Sequence, residues 1–481
     1  MNYGIVLRVL GDILIVESLL MIPSLLIAIY TGGNDVYAFL LTIILTAIVG
    51  FIMRRKRSGK LINASDGLAI VAFGWILASV FGALPLFISG ATNYLDALFE
   101  TVSGFTTTGA TVISNVEALP QGILFWRSFT HWIGGMGILV FTIALIPALG
   151  IGGFQIFKAE SPGPVAGKIA PRIKDTAKIL YAIYFGMTIL EIIMLKFGGM
   201  NLFDSMVYTF GTVGTGGFAT KNNSVAFYHS TYIHLVIGTF MMMAGVNFTI
   251  YYSIYKKKFK DAFLDEELRL YLCIIAIAVV AIATNLYLTN YGSLGLSFRD
   301  SYFQVGSVMT TTGYTTADFD IWPSFSKGIL LLLMFIGGSA GSTAGGLKVI
   351  RILILFKLIR REISKIFHPR AVIPIKANDR IVKSDTVSSI NSFVALYFLI
   401  FVISTLLVTL EGVNLESAAS SVVATLSNIG PGLGFVGPTQ NFGAFHNATK
   451  VLFTFLMLLG RLELFTIIAL LAPKNWRREY R

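Results

Sequence analysis

Residues 94–111 read YLDALFETVSGFTTTGAT: an acid, a semi-apolar stretch, then a run of threonine and glycine. The pattern returns as NLFDSMVYTFGTVGTGGFAT (201–220), SFRDSYFQVGSVMTTTGYTT (297–316) and NLESAASSVVATLSNIGPGLG (414–434). Asp96, Asp204 and Asp300 each stand thirteen residues before a glycine, at Gly109, Gly217 and Gly313. Glu416 stands fourteen before Gly430, which reads as one added residue. These segments are too short to cross a bilayer, which needs about 20 apolar residues of helix. Turn-forming glycines follow each, and then a full apolar span. The pattern predicts a re-entrant hairpin, a half helix going in and an extended strand coming back. Non-helical backbone at membrane depth is tolerated only where protein buries it or it lines a wet cavity. Four such hairpins in one chain predict one central cavity that all of them line.

The rest of the chain agrees with that setting. Of 481 residues, 55% are hydrophobic and 13% charged, against about 25% charged in soluble domains. The fold class is an all-α polytopic membrane protein. Ten stretches read as spans: 8–30, 37–53, 67–90, 124–149, 176–197, 230–255, 268–290, 326–358, 388–411 and 448–472. The first is expected to be a retained helix rather than a cleaved signal, since Asp12 and Glu17 interrupt it and no small-residue cleavage site follows. The net charge of +12 gathers at span ends: Arg54, Arg55, Lys56, Arg57 and Lys60; Lys158 to Lys174; Lys256 to Lys258 with Lys260; Arg360 to Arg370; and Lys474 to Arg481. That is the positive-inside pattern. It places both termini in the cytoplasm and the hairpins on the outer side, and the same clusters suit anionic lipids. Nucleic acid is disfavoured, because no aromatic-interleaved basic surface lies outside the spans. With Cys273 alone, no intrachain disulfide can form. The expected units are a two-helix appendage (1–60), repeat 1 (61–150), a linker and repeat 2 (151–262), repeat 3 with a broken inner helix (263–370), and repeat 4 with a cytoplasmic C-terminus (371–481).

A ring of backbone oxygens can replace the water around a cation. Glycine permits the dihedrals such a turn needs, and threonine adds a hydroxyl and favours extended backbone. The candidate ion-coordinating residues are Thr107, Thr108 and Gly109; Thr215, Gly216 and Gly217; Thr311, Thr312 and Gly313; and Asn428, Ile429 and Gly430. The turns carry no carboxylate, which favours a weakly hydrated monovalent ion, K⁺ before Na⁺. Asp96, Asp204, Asp300 and Glu416 are expected to cap the half helices and complement their dipoles. The negative helix ends then converge on the cation. Close helix packing through small residues would explain one such segment but not four, each headed by an acid.

Two further features stand apart. Residues 337–346 hold five glycines in ten positions, as no lipid-facing helix would. Gly337, Gly338, Ser339, Ala340, Gly341, Ser342, Thr343, Ala344, Gly345 and Gly346 are expected to form an intramembrane loop that gates the path, a packing kink being the alternative. Arg461 sits in mid-span, where a buried arginine is a functional candidate. It is expected to face the cavity near that loop, with Glu463 pointing elsewhere on the same helix. Lys348 and Arg351 line the inner vestibule or anchor to the cytoplasm. The G-x-S-x-G at 337–341 and G-x-G-x-x-G at 432–437 lack the strand–turn–helix and βαβ contexts that give those patterns meaning, so no enzyme is expected.

Together, the four turns, GGSAGSTAGGLKVIR (337–351), AESPGP (159–164) and GRLELFTIIALLAPKNWRR (460–478) resemble the TrkH family, the membrane subunits of bacterial Trk potassium uptake. The appendage favours it over the shorter relative KtrB. The resemblance implies selectivity resting on Gly109, Gly217, Gly313 and Gly430, a gate at 337–346 that Arg461 helps close, and K⁺ as the transported ion with no organic cofactor. It also implies a homodimer in the bacterial cytoplasmic membrane, docked on a cytosolic nucleotide-binding ring like TrkA. The second and fourth turns depart from the TTTG form. A Na⁺-permeant or Na⁺-coupled transporter of the same superfamily is the alternative. An alternating-access transporter is disfavoured, since the repeats run in one direction and mid-membrane acids are scarce.

Overall fold

The computed structural model describes residues 2–55, 64–137 and 173–471. The second half of the 124–149 span, most of the 150–175 linker, the boundaries at 60 and 150, and the basic residues within 56–63, 138–172 and 472–481 lie outside the described residues. Among the described residues the protein is helical, with one short β-hairpin pairing Lys376–Ala377 with Arg380–Ile381.

Two helical spans, Tyr3–Thr31 and Val36–Arg54, precede the outer helix that leads into the first re-entrant hairpin. They pack closely at Gly11 and Gly50, where an added Cβ at Gly11 would stand 2.6 Å from the Gly50 carbonyl. Arg54 Nε pairs with Asp12 at 3.2 Å. An apolar core including Val9, Phe39, Trp75, Phe105, Trp126 and Phe453 joins this pair to the first and last hairpins. The loop between the two helices holds Asp35, whose Oδ2 accepts the Ile123 amide at 3.1 Å. Asp35 thereby caps helix Gln121–Gly135 from outside it. Burial pushes the Asp35 carboxyl up, and the amides of Asp35, Ile123 and Gly122 oppose that shift.

Four outer helices follow in order: Ala64–Gly82 extended by Leu84–Ile88, Ile173–Phe197, Glu266–Leu286 and Ser384–Thr409. Each leads into a half helix: Tyr94–Phe105, Leu202–Val213, Leu294–Met309 and Leu415–Leu426. Outer-helix residues such as Ile277, Val280, Leu399 and Leu406 are exposed, as is Cys273, and these form the lipid-facing surface. Among the described residues, six helical spans are long and apolar enough to cross a membrane, seven counting one bent pair.

The inner helices differ from the expected continuous spans. Only the eighth span was expected to break, and it does, between Ile336 and Val349. The sixth also breaks: Thr231–Ala244 and Phe248–Tyr255 meet at 92°. Gly245 there lies against the Tyr271 hydroxyl, leaving no room for a side chain, and Asn247 caps the second piece through the Thr249 amide at 2.9 Å. The tenth ends at Arg461 and restarts at Leu464, with Glu463 in the left-handed region at φ +62°. Arg461 and Glu463 therefore do not share a helix.

The half-helix starts correct a second expectation. Asn93, Asn201 and Asn414 are the N-caps, accepting the amides of Asp96, Asp204 and Ser417. Asp96 and Asp204 sit three residues in, where their carboxylates accept the Asn93 and Asn201 side-chain amides at 2.8 and 2.7 Å. Acid and asparagine thus bond reciprocally, a variant of the capping box in which the acid accepts the asparagine side-chain amide rather than its backbone N–H. Each capping asparagine stands sixteen residues before its glycine, so the fourth hairpin holds no added residue. Ser417 is the counterpart of Asp96, and Glu416 lies one position earlier, paired with Lys327 at 3.2 Å. The third half helix starts earlier, at Leu294, so Asp300 is inside it and pairs with Arg299 at 2.8 Å. Replacing Asn201 by alanine is expected to destabilise the protein by about 1 kcal/mol, seen as a lower Tm in detergent.

Candidate functional site

Each half helix ends in the same way. The amides of Thr107, Thr215, Thr311 and Asn428 bond three residues back, and those of Thr108, Gly216, Thr312 and Ile429 bond five residues back at 2.7–2.8 Å. This is the Schellman C-cap, whose left-handed residue is usually glycine. Here threonine or asparagine takes that place, at φ +55° for Thr107 and Thr215, +56° for Thr311 and +58° for Asn428. The first residue of each triplet is thus left-handed rather than extended, because it terminates the helix. A β-branched residue in this region stores strain that surrounding structure must hold, and it does so in the three threonine turns, while asparagine at 428 adopts the region readily.

Two residues later, Gly109, Gly217, Gly313 and Gly430 also take positive φ, from +75° to +100°. Each glycine faces the next turn. A Cβ on Gly109 would overlap the Gly216 carbonyl oxygen, one on Gly217 that of Thr312, and one on Gly313 that of Ile429. A Cβ on Gly430 would stand 2.8 Å from the Thr108 carbonyl oxygen, closing the circle. The four turns therefore surround one axis. They also brace one another: Asn428 Nδ2 donates to Thr108 Oγ1 and to the Met457 carbonyl, both at 2.9 Å.

A cavity lies on either side of the ring. The outer one, about 100 Å³, is lined by all four glycines with Arg127 and Asn441. The inner one, about 110 Å³, is lined by Gly135, Gly345, Lys348, Gly460 and Arg461 among others. Residues 337–348 run between them as an irregular loop beneath the turns. The Gly345 amide donates to Thr311 Oγ1 at 2.7 Å, and Thr343 Oγ1 donates to the Ala244 carbonyl at 3.2 Å. The Ser339 amide bonds to the Gly245 carbonyl at 2.9 Å, and the Gly341 carbonyl accepts the Phe248 amide at 3.0 Å. The bent sixth span is thus part of the loop's seat. Ser339 belongs to this loop and not to a strand-to-helix elbow.

Arg461 reaches into the same region. It donates to the Thr343 carbonyl at 2.9 Å, the Gly135 carbonyl at 3.0 Å, Thr107 Oγ1 at 3.4 Å and the Gly134 carbonyl. Lys348 is buried and its ammonium donates to the Ala344 carbonyl, which settles its placement in favour of the cavity. Arg351 pairs with Glu463 and lies 3.8 Å from the Phe393 ring centre. One residue escaped sequence reasoning altogether. Glu267, at the start of an outer helix, accepts the Ala340 amide at 2.7 Å and the Ile350 amide at 3.1 Å, tying the loop to the first turn of the helix that follows it. No spacing rule connects position 267 to 340 and 350.

Four re-entrant half helices, four glycine turns on one axis and an irregular loop beneath them define a polytopic membrane protein built around a single central ion path. The sequence agrees over its whole length. Residues 33–478 match the family model TrkH, described as cation transport protein. The Trk system potassium uptake protein TrkH of Escherichia coli K12 is 39% identical over 486 residues, covering 99% of this chain and 100% of the relative. TrkG of the same organism is 36% identical over 481 residues, covering 98% of each. The crystal structure of the potassium transporter TrkH from Vibrio parahaemolyticus superimposes with a TM-score of 0.89 at 35% identity, covering 99% of this chain and 100% of that one. The chain belongs to the TrkH family of cation transport proteins.

Proposed function

We propose that this protein carries K⁺ into a bacterial cell through a channel-like pore. The filter is formed by Thr107–Gly109, Thr215–Gly217, Thr311–Gly313 and Asn428–Gly430. The carrying observation is the closed circle in which each turn's glycine abuts the next turn's carbonyl. Such a circle brings oxygens from all four turns to one axis at fixed spacing, as replacement of a cation's hydration shell requires. The loop 337–346 with Arg461 is the gate, and its many bonds to neighbouring segments support a closed arrangement. The relatives named for potassium uptake favour K⁺ as the ion. Both termini are cytoplasmic. The protein works as a homodimer with a cytosolic nucleotide-binding ring like TrkA on its basic inner face, and anionic lipids surround it. The units 1–60, 61–150, 151–262, 263–370 and 371–481 are its repeats and appendage.

Purified protein in liposomes is expected to take up radioactive rubidium down its gradient, with excess K⁺ competing and Na⁺ competing poorly. Uptake no faster than in protein-free vesicles would remove the proposal. Equal competition by Na⁺ would replace it with the Na⁺-permeant reading, and an absolute need for a Na⁺ or proton gradient with the coupled one.

A further inference from the structure

Behind the first two turns lies a buried charged cluster that touches the outer cavity at Arg127 and takes no part in the gate. Glu100, on half helix Tyr94–Phe105, turns one oxygen to the strand leaving Gly109. Its Oε1 accepts the Val112 amide at 2.9 Å, the Ile113 amide at 3.3 Å and the Thr111 hydroxyl. Its other oxygen, Oε2, accepts Arg127 Nη2 at 3.1 Å and Nε at 3.3 Å. Both side chains are almost wholly buried, 0% and 3% exposed. Arg127 then lies over the ring of Phe218, 4.2 Å from its centre, and Phe218 directly follows Gly217. His131, one helical turn from Arg127, completes the link. Its Nε2 accepts the Phe218 amide at 3.2 Å, and Nδ1 lies 2.7 Å from the Gly104 carbonyl. Those two bonds assign the neutral tautomer with the proton on Nδ1.

The cluster thus fastens the strand after Gly109, its half helix and the residue after Gly217 to one inner helix. The positions equivalent to Glu100, nine before each glycine, are Tyr208, Gln304 and Ser421. Those side chains bond only within their own hairpins: Tyr208 to the Ser224 carbonyl, Gln304 to Thr316, and Ser421 to the Ala418 carbonyl. The charged, cross-hairpin form occurs in the first hairpin. A buried ion pair is a weak source of net stability but can fix a geometry. Arg127 also borders the outer cavity, where its charge would repel a cation if Glu100 did not balance it.

We propose that Glu100 and Arg127, acting through Phe218 and His131, are positioning residues that set ion discrimination by fixing the separation of the first two turns. The inference rests on the reading of those turns as a K⁺ filter. The test is the K⁺/Na⁺ flux ratio of reconstituted, monodisperse protein. Glu100→Gln, Arg127→Gln, Arg127→Lys and Phe218→Leu are each expected to lower the ratio by about fivefold or more, while rubidium uptake persists. Lysine is included because an ammonium lacks the planar fork and stacks poorly. If the pair acted only through its field, Glu100→Gln would slow cation entry, Arg127→Gln would speed it, and the ratio would stay put. That outcome, or a wild-type ratio in variants that still transport, overturns the proposal. Should removal of a charge prevent folding, Phe218→Leu keeps the ion pair and decides alone. Gly109→Ser is measured alongside. If it shifts the ratio and the cluster variants do not, only the brace fails; if none does, the filter reading fails with it.

Discussion

Gly313→Ala is expected to abolish most K⁺/Na⁺ discrimination while the protein remains folded. Two physical terms add at this position. The backbone sits at φ +84°, where an L-residue is strained by roughly 1–2 kcal/mol. The new methyl would also overlap the Ile429 carbonyl oxygen and stand 2.8 Å from Pro431 Cδ. Neither neighbour is the free end of a flexible side chain, so the fourth turn itself must shift. Since ~1.4 kcal/mol is a factor of ten, a disturbance of this size allows a tenfold or larger drop in the flux ratio. The four positions should not respond equally. Gly109 and Gly217 meet the next carbonyl as closely as Gly313 does, whereas Gly430 has 2.8 Å to Thr108 O. On overlap alone Gly430→Ala should be the mildest of the four, whereas its φ of +100° makes its backbone term the largest, so its rank shows which term governs. Na⁺ competition against rubidium uptake ranks them, and a wild-type ratio in Gly313→Ala would place discrimination elsewhere in the protein.

That ranking could not be drawn from the sequence, although the four turns could. Glycine at a fixed distance from an acid was visible because a half helix of set length separates them. The acid is nevertheless the less faithful marker. Asparagine at sixteen residues aligns the first, second and fourth hairpins without an insertion, because the N-cap and the C-terminal turn both belong to one rigid helix. Glu416 misled because an acid is welcome at any position of the first turn. The broken eighth span was legible from glycine density. The breaks at 245–247 and 462–463 were not, since one glycine and one strained glutamate carry them, and a window of mean hydropathy averages over both. Arg461 was found as a charge in an apolar run, which is a local signal. Glu267 and the Glu100–Arg127 pair act between segments distant in sequence, and their residue types are ordinary at helix ends and on half-buried faces.

Arg461→Ala is expected to raise the basal rubidium leak through the resting protein about tenfold or more, a shift of ~1.4 kcal/mol or more in the closed-to-open balance. Its guanidinium spans the first hairpin's inner helix at Gly134 and Gly135, the first turn at Thr107 and the loop at Thr343. A charge-assisted bond of this kind contributes about 1.5–3 kcal/mol, and alanine removes the set at once. Lysine keeps the charge but offers three donors from a point rather than five in a plane, so Arg461→Lys should leak at an intermediate level. If electrostatic repulsion alone closed the path, lysine would restore it fully. Glu267 supplies an independent control, because it holds the loop at Ala340 and the following helix at Ile350 and bonds to none of the turns. Glu267→Gln keeps the shape and weakens both amide bonds, and it should raise the leak without touching the K⁺/Na⁺ ratio. Deletion of 339–344 removes both the Ala340 amide that Glu267 holds and the Thr343 carbonyl that Arg461 holds, and should leak most of all. A deletion mutant that transports less than the wild type would mean that the loop props the path open, and the gate assignment would then be reversed.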